Sequence, residues 1–424
     1  MSIPVAESSP SPQVRWRIVA LLMAFAAFGH FNRVGISVAG SEVFIPKFGL
    51  SETRMGWVYT AFLIVYTVGM LPGGWLIDRI GSPRALTLYG LSMGVFVMLT
   101  GMLGWVTNSP ESLWLGLIVI RSLAGFCNAP LHPAAAHVVS DLMPPRSRAT
   151  ANGMVTAGAL IGIAFSYPAF GWLMDRLNWP LAFVVSGMML MAYSLIWRQA
   201  TQPLALGSTS NSSEMPQEES RPSGWRLLAD FNLWLLSLSY AAYGYFQYLF
   251  FYWMDYYFKS VLHVPAVDAR WASFWIMLAM GAGMAIGGLS TDFVCLRLGK
   301  GRGRCAVVLV GMGLGAVFGL LGVNVTGQIN VAMCLAISMG LLGMCEGVFW
   351  TTATDIGGKS RGFSGAIMNT GGNIGGLISP VLTPVMAESL GWPGAITVAC
   401  VIAALGSAVW FAIRLPEPTV AEVA

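Results

Sequence analysis

The stretch 73-GGWLIDRIGSPRA-85 places one acid and two bases, Asp78, Arg79 and Arg84, in a short break between two apolar runs. A related stretch returns as 287-GGLSTDFVCLRLGKGRGR-304, where Asp292 lies 214 positions after Asp78 (292 − 78). A second pair, 177-LNWPLAF-183 and 390-LGWPGAI-396, sets Trp179 and Trp392 213 positions apart (392 − 179). Two independent landmarks at nearly one offset indicate an internal duplication, and a duplication organises everything else in a chain.

The material between the landmarks is built for lipid. Of 424 residues 56% are hydrophobic and 10% charged, and the mean hydropathy is +0.68; a soluble domain carries about a quarter charged residues. The apolar runs reach the ~18 residues that a helix needs to cross a bilayer. Twelve spans are predicted, six on each side of a Ser- and Pro-rich stretch, 199-QATQPLALGSTSNSSEMPQEESRPSG-224, which reads as a flexible linker. The expected organisation is an all-α membrane protein of twelve transmembrane helices, with one six-helix bundle in residues 1–198, a cytoplasmic linker at 199–228 and a second bundle in 229–424. Six spans per copy is even, so the copies enter the membrane from one side, as parallel repeats with a pseudo-two-fold axis along the membrane normal. The first apolar run is too long for a signal peptide and is expected to stay as the first helix.

Sixteen Lys and Arg residues fall in the predicted inner loops and tails, against five in the outer loops: Lys47, Arg54, Arg176, Lys259 and Arg270. The positive-inside rule then puts both termini and the linker in the cytoplasm and the protein in the inner, or plasma, membrane. Two arginines, Arg33 and Arg121, belong to neither set. The six cysteines have no metal-ligand or redox spacing and are expected to be small packing residues. The four histidines form no zinc-like motif and there is no nucleotide-binding Gly-rich loop, so neither an enzyme nor a cofactor or metal is expected. The bases beside spans are explained by topology, not by nucleic acid.

Taken together, 73-GGWLIDRIGSPR-84, 33-RVGISVA-39, 50-LSETRMGWVYTAFLIVYTVGMLPGGWLIDR-79, 121-RSLAGFCNAPLHPAA-135 and 365-GAIMNTGGNIGGLISP-380 resemble the major facilitator superfamily over the whole chain. More narrowly, they resemble its anion:cation symporter family, which carries sugar acids and other organic anions. That resemblance implies a monomer working by alternating access, with a small organic anion as substrate and H+ as the usual coupling ion. It also implies that Arg33 and Arg121 contact the anion, that Tyr66 lies near the ligand, and that Asp78, Arg79, Arg84 and Asp292, with Asp355, act in a cytoplasmic gate.

The residues allow these roles. A lone arginine at bilayer depth costs at least ~2.5–3.5 kcal/mol, and it is tolerable when it faces water, a partner or an anion that it can hold bidentately. Arg33 shares a helical face with His30 and Ser37; its alternatives are a substrate contact or a structural pair with Glu346. Arg121, Gly125, Asn128 and His132 follow one stripe of helix four that is expected to face the cavity, and Asn128, like His30 on helix one, is a candidate substrate contact. Gln247 and Tyr248 in helix seven, and Asn369 and Asn373 in helix eleven, are candidates for sugar hydroxyls or for helix packing. Where relatives in the resembled family carry acids beside the helix-one arginine and in helix four, this chain has Asn32 and Asn128, which cannot titrate. Glu346, His132, His30 and His137 are therefore candidates for a replacement proton relay, each with local hydrogen bonding as its alternative. The leading reading is a proton-coupled sugar-acid transporter; an anion exchanger, a sugar-phosphate carrier and a non-transporting sensor on the same fold are its competitors.

Overall fold

The computed structural model describes residues 11–107, 109–202 and 224–414. Among them there is no strand. The long helices are α1 (Pro12–Phe44), α2 (Glu52–Ile80), α3 (Ser82–Val106), α4 (Pro110–Leu142), α5 (Thr150–Leu177), α6 (Trp179–Thr201), α7 (Phe231–Tyr256), α8 (Ala266–Leu298), α9 (Lys300–Asn324) and α10 (Gln328–Gly357). A last apolar stretch, Gly362–Phe411, is broken by Gly391 with φ 69° and ψ 165°, and so contains α11 (362–390) and α12 (392–411). Ten stretches are long and apolar enough to cross a membrane; with the last one divided, they account for every helix but α7. In α7 tyrosines, serines and Gln247 dilute the hydropathy. Most of the expected linker lies outside the described residues, although α6 runs on to Thr201 and a short 3-10 helix occupies Gly224–Ala229.

Local chemistry sets the helix ends. Ser51 Oγ accepts the Arg54 N–H at the start of α2, and Ser109 with Ser112 forms a capping box at the start of α4. The duplication reappears in the backbone. Asn178 before Trp179-Pro180 has φ 67° and ψ 166°, nearly the values of Gly391 before Trp392-Pro393. Gly81 and Gly299, with φ 83° and 80°, turn the chain out of α2 and α8. The helical bonding of α4 is interrupted at Ala129–Pro130 and that of α10 at Met344–Cys345, 215 positions on (344 − 129). Pro130 has no N–H to give, which accounts for the first break.

Helices α1–α6 and α7–α12 form two bundles. In lipid there is no hydrophobic drive between helices, and close packing takes its place. The stripe Gly371 and Gly375 of α11 lies on Ser237 and Ala241 of α7, so closely that a Cβ at Gly375 would sit 1.9 Å from the Ala241 carbonyl oxygen. Contacts between the bundles gather toward the end carrying the α1–α2 and α7–α8 loops, here called the far face; the end carrying the termini is the terminal face. There Thr60 Oγ1 of α2 donates to the Leu377 carbonyl of α11 at 2.9 Å, Gly56 lies under the Pro380 carbonyl, and Thr53 donates to Glu388 at 2.9 Å. Tyr59 of α2 stacks on Tyr252 of α7 at 4.6 Å, and Tyr167 of α5 donates to the Phe251 carbonyl at 2.8 Å.

Gly375→Ala should lower the melting temperature in detergent, because its methyl forces α7 and α11 apart; overpacking of this kind costs about 1–3 kcal/mol. Gly288→Ala, whose Cβ would meet nothing within 4 Å, should leave the melting curve in place.

Candidate functional site

Arg33 sits on α1 with 7% of its surface exposed. Its Nη2 donates to the Tyr248 hydroxyl of α7 at 2.8 Å, so one hydrogen bond crosses between the bundles here. Its guanidinium carbon lies 5.4–5.6 Å from the ring centres of Phe62, Tyr66 and Tyr248. Among the described residues no carboxylate pairs with it. Glu346 is occupied elsewhere: its Oε1 accepts from Tyr240 and from Trp350, each at 2.9 Å, and its buried Oε2 has no partner. The structural Arg33–Glu346 pair that the sequence left open is not formed.

Arg121 is deeper, at 1% exposure. Its Nη2 donates to the backbone carbonyl of Arg33 at 2.8 Å, and its guanidinium lies 4.7 Å from the centre of the same Phe62 ring. Its Nε has no partner. In this conformation Arg121 grips the chain that carries Arg33. The two guanidiniums share one ring, at 5.4 and 4.7 Å, so they are no more than about 10 Å apart. At an effective dielectric near 20, two like charges ~10 Å apart repel by roughly 1.7 kcal/mol. An anion between or beside them would remove that cost.

The other candidates divide. His30 Nδ1 lies 3.1 Å from the Ala26 carbonyl and its Nε2 3.5 Å from Nε2 of His132, so the two rings form a pair. Donation from Nδ1 of His30 leaves its Nε2 to accept from His132. Tyr66 is half-buried with its ring parallel to Phe62. Asn128 is 1% exposed and neither its Nδ2 nor its Oδ1 is bonded; an unsatisfied buried polar atom costs about 1–3 kcal/mol. Asn32 donates back to the Phe28 carbonyl at 2.9 Å. Asn369 and Asn373 are half-buried, on the face of α11 that meets Tyr248 through Gly376. Gln247 makes only a long contact, 3.7 Å, to the sulfur of Met280. His137 is exposed and stands apart from the His30–His132 pair, and Glu346 meets neither. The four candidate relay residues are therefore not one chain of contacts.

At the terminal face Asp78, Arg79, Arg84 and Asp292 are exposed and enter no ion pair among the described residues; Arg79 lies over the ring of Trp75 at 5.1 Å. Asp355 pairs with Arg304 at 2.8 Å inside the second bundle.

The sequence reading missed an ion network at the far face. Arg270 of α8 binds Glu42 of α1 through Nε and Nη2 at 2.8 and 2.6 Å, and Asp175 of α5 at 2.5 and 2.9 Å. Lys259, in the turn that follows α7, binds Glu42 and, at 2.6 Å, Asp255; Ser41 Oγ donates to Asp255 as well. Glu346 was the one carboxylate that the sequence offered for a proton relay. Asp255 corrects that, with a side chain that is 0% exposed. Lys259 and Arg270 read in sequence as loop charges set by topology. The repeat offset was the usable signal, since Glu42 and Asp255 are 213 apart (255 − 42).

The Major Facilitator Superfamily model matches residues 19–360 and 301–423. The chain belongs to the Major Facilitator Superfamily. Among curated proteins, this superfamily member is 25% identical to the D-galactonate transporter of Escherichia coli O6:H1, covering 96% of this chain and 97% of that one. It is 28% identical to a probable sulfoacetate transporter of Cupriavidus necator, over 88% and 87%, and 26% identical to a probable galactarate/D-glucarate transporter of Bacillus subtilis, over 91% and 89%. Its fold matches the crystal structure of a bacterial homologue of the human lysosomal transporter Spinster, described as inward-facing and unoccupied, with a TM-score of 0.80, 17% identity and coverage of 95% and 98%. It is a multi-pass membrane transporter of this superfamily and not an enzyme.

Cysteines placed at Thr53 and Glu388 in a background with the six native cysteines changed to serine should cross-link α2 to α11 with a short thiol-reactive reagent. Transport should stop on cross-linking and return on reduction. Transport that persists through complete cross-linking would show that the far face need not open.

Proposed function

We propose that this protein is a secondary active transporter that moves a small organic anion, of the sugar-acid class, by alternating access with proton symport. The observation that carries the reading is the pair of guanidiniums on the Phe62 ring without a carboxylate. A positive site between two bundles selects an anion, and Arg33, with one hydrogen bond made, keeps donors free for a carboxylate. Tyr66, Tyr248, Asn128, Asn369 and Asn373 offer hydroxyls and amides of the kind that sugar hydroxyls pair with. Relatives named for galactonate, galactarate or glucarate support the substrate class.

In this reading residues 1–198 and 229–424 rock as two units about the arginines, joined by a cytoplasmic linker. The excess of bases at the terminal face supports both termini being in the cytoplasm of a cell whose inner membrane holds the protein. The far face is then external, and its interbundle contacts make this the inward-facing state. The protein works as a monomer. A second reading, anion exchange, draws on Asn32 and Asn128, which offer no titrating group beside the arginines.

Uptake of radiolabelled galactonate, glucarate, glucuronate and sulfoacetate into proteoliposomes, with and without an inward proton gradient, tests both readings. Gradient-stimulated uptake fits symport, and uptake that needs internal anion fits exchange. Arg33→Gln should raise the half-saturating concentration about 10- to 150-fold, the worth of ~1.5–3 kcal/mol for hydrogen bonds to a charged group. Arg121→Gln should cost nearly as much, and the double variant no more than either alone, because Arg121 acts by holding Arg33. Losses that add would make Arg121 an independent anion contact.

A further inference from the structure

The transport reading leaves the coupling proton without a place, since Asn32 and Asn128 cannot take it and Glu346 is bound within its own bundle. The far-face network supplies one. It holds three carboxylates, Glu42, Asp175 and Asp255, against two cations, Lys259 and Arg270. Its formal charge is −1, so one proton makes it neutral. The acids are not equally placed. Glu42 is shared by both cations. Asp175 pairs with Arg270 but is 53% exposed, where water screens its charge. Asp255 is fully buried; its Oδ2 receives Lys259 and Ser41 while its Oδ1 has no partner at all. A buried acceptor left without a donor is costly, and Oδ1 is such an acceptor.

The place of Asp255 suits coupling. Its bond to Ser41 and the Lys259–Glu42 pair both run between the bundles, so both break when the far face opens. Tyr248, Tyr252 and Asp255 follow one stripe of α7 at i, i+4 and i+7, and Lys259 continues it in the turn beyond. Tyr248 holds Arg33, Tyr252 interacts with Arg33 and stacks on Tyr59, and Lys259 belongs to the gate. One helix face thus carries the anion site at one end and the gate carboxylate at the other. The groups facing Asp255 are Ser41 and Glu42 from α1, Tyr59 from α2, Tyr167 from α5, Tyr252 and Lys259 from α7 and its following turn, with Arg270 and Asp175 one ion pair further out. None but Lys259 gives Asp255 a direct positive partner.

The geometry points to Asp255 as the proton-binding residue of this transporter: open to the outer solution it accepts a proton on Oδ1, the far face closes over a neutral network, and the proton leaves when the anion is released inward. This rests on the anion-transport reading.

Proteoliposomes with a pH electrode, loaded with galactonate or glucarate, separate the two. Anion counterflow reports the transport reading alone, and proton uptake per anion reports coupling. Asp255→Asn should keep measurable counterflow while anion-driven proton uptake falls at least tenfold. Ser41→Ala changes no charge but removes a donor to the Asp255 carboxylate in the closed state, so the internal pH for half-maximal uptake should move up. Wild-type-like proton uptake per anion in Asp255→Asn overturns the assignment. So does loss of coupling in Glu42→Gln with Asp255→Asn still coupled, which would put the proton on Glu42. If Asp255→Asn does not fold, an unmoved midpoint in Ser41→Ala overturns the assignment instead. Absent counterflow in the wild type would sink the transport reading, not the choice of Asp255.

Discussion

A positive charge held at membrane depth without a counter-charge is the constraint on which this molecule turns. Among the described residues no carboxylate pairs with Arg33; aromatic faces and one tyrosine hydroxyl receive it. Lipid would exact at least ~2.5–3.5 kcal/mol for such a residue. The fold answers by placing it where two bundles meet and by using a second buried arginine to hold its backbone. Both charges then stand at the seam of the two bundles, within reach of one phenyl ring.

That arrangement explains why the bundles need their own clasp. Around the arginines the bundles share little more than the Tyr248 hydroxyl, and at the far face an ion network joins them. The far face provides it with Arg270 between Glu42 and Asp175 and Lys259 between Glu42 and Asp255. Ion pairs suit this task because buried ones carry a desolvation cost close to their mutual attraction. A clasp of small net worth can part and reform, whereas a glycine seam such as that of α7 and α11 stays closed.

The duplication was legible because it is written in local signals. Gly391 and Asn178 take one backbone conformation before Trp-Pro, and the α4 and α10 breaks stand 215 apart (344 − 129). Arg33, Arg121 and Tyr66 were legible because a polar residue in an apolar run needs a reason. Partner choice was not legible. Glu346 could have met Arg33, but a tyrosine and a tryptophan of its own bundle reach it first. His137 follows His132 by five positions, and five residues turn a helix to another face.

From its sequence alone this protein was determined to be a twelve-helix, duplicated membrane transporter with two arginines out of place for lipid. Helix formation, span length and repeat offset depend on neighbours in the chain, so residues close in sequence carry that information. Only the tertiary structure decided that Arg121 holds Arg33 and that Asp255 and Glu42 belong to one network. Those contacts join residues 88 positions apart (121 − 33) and 217 apart (259 − 42). Which side chains meet across helices depends on axial rotation and crossing, and packing of the whole bundle sets both.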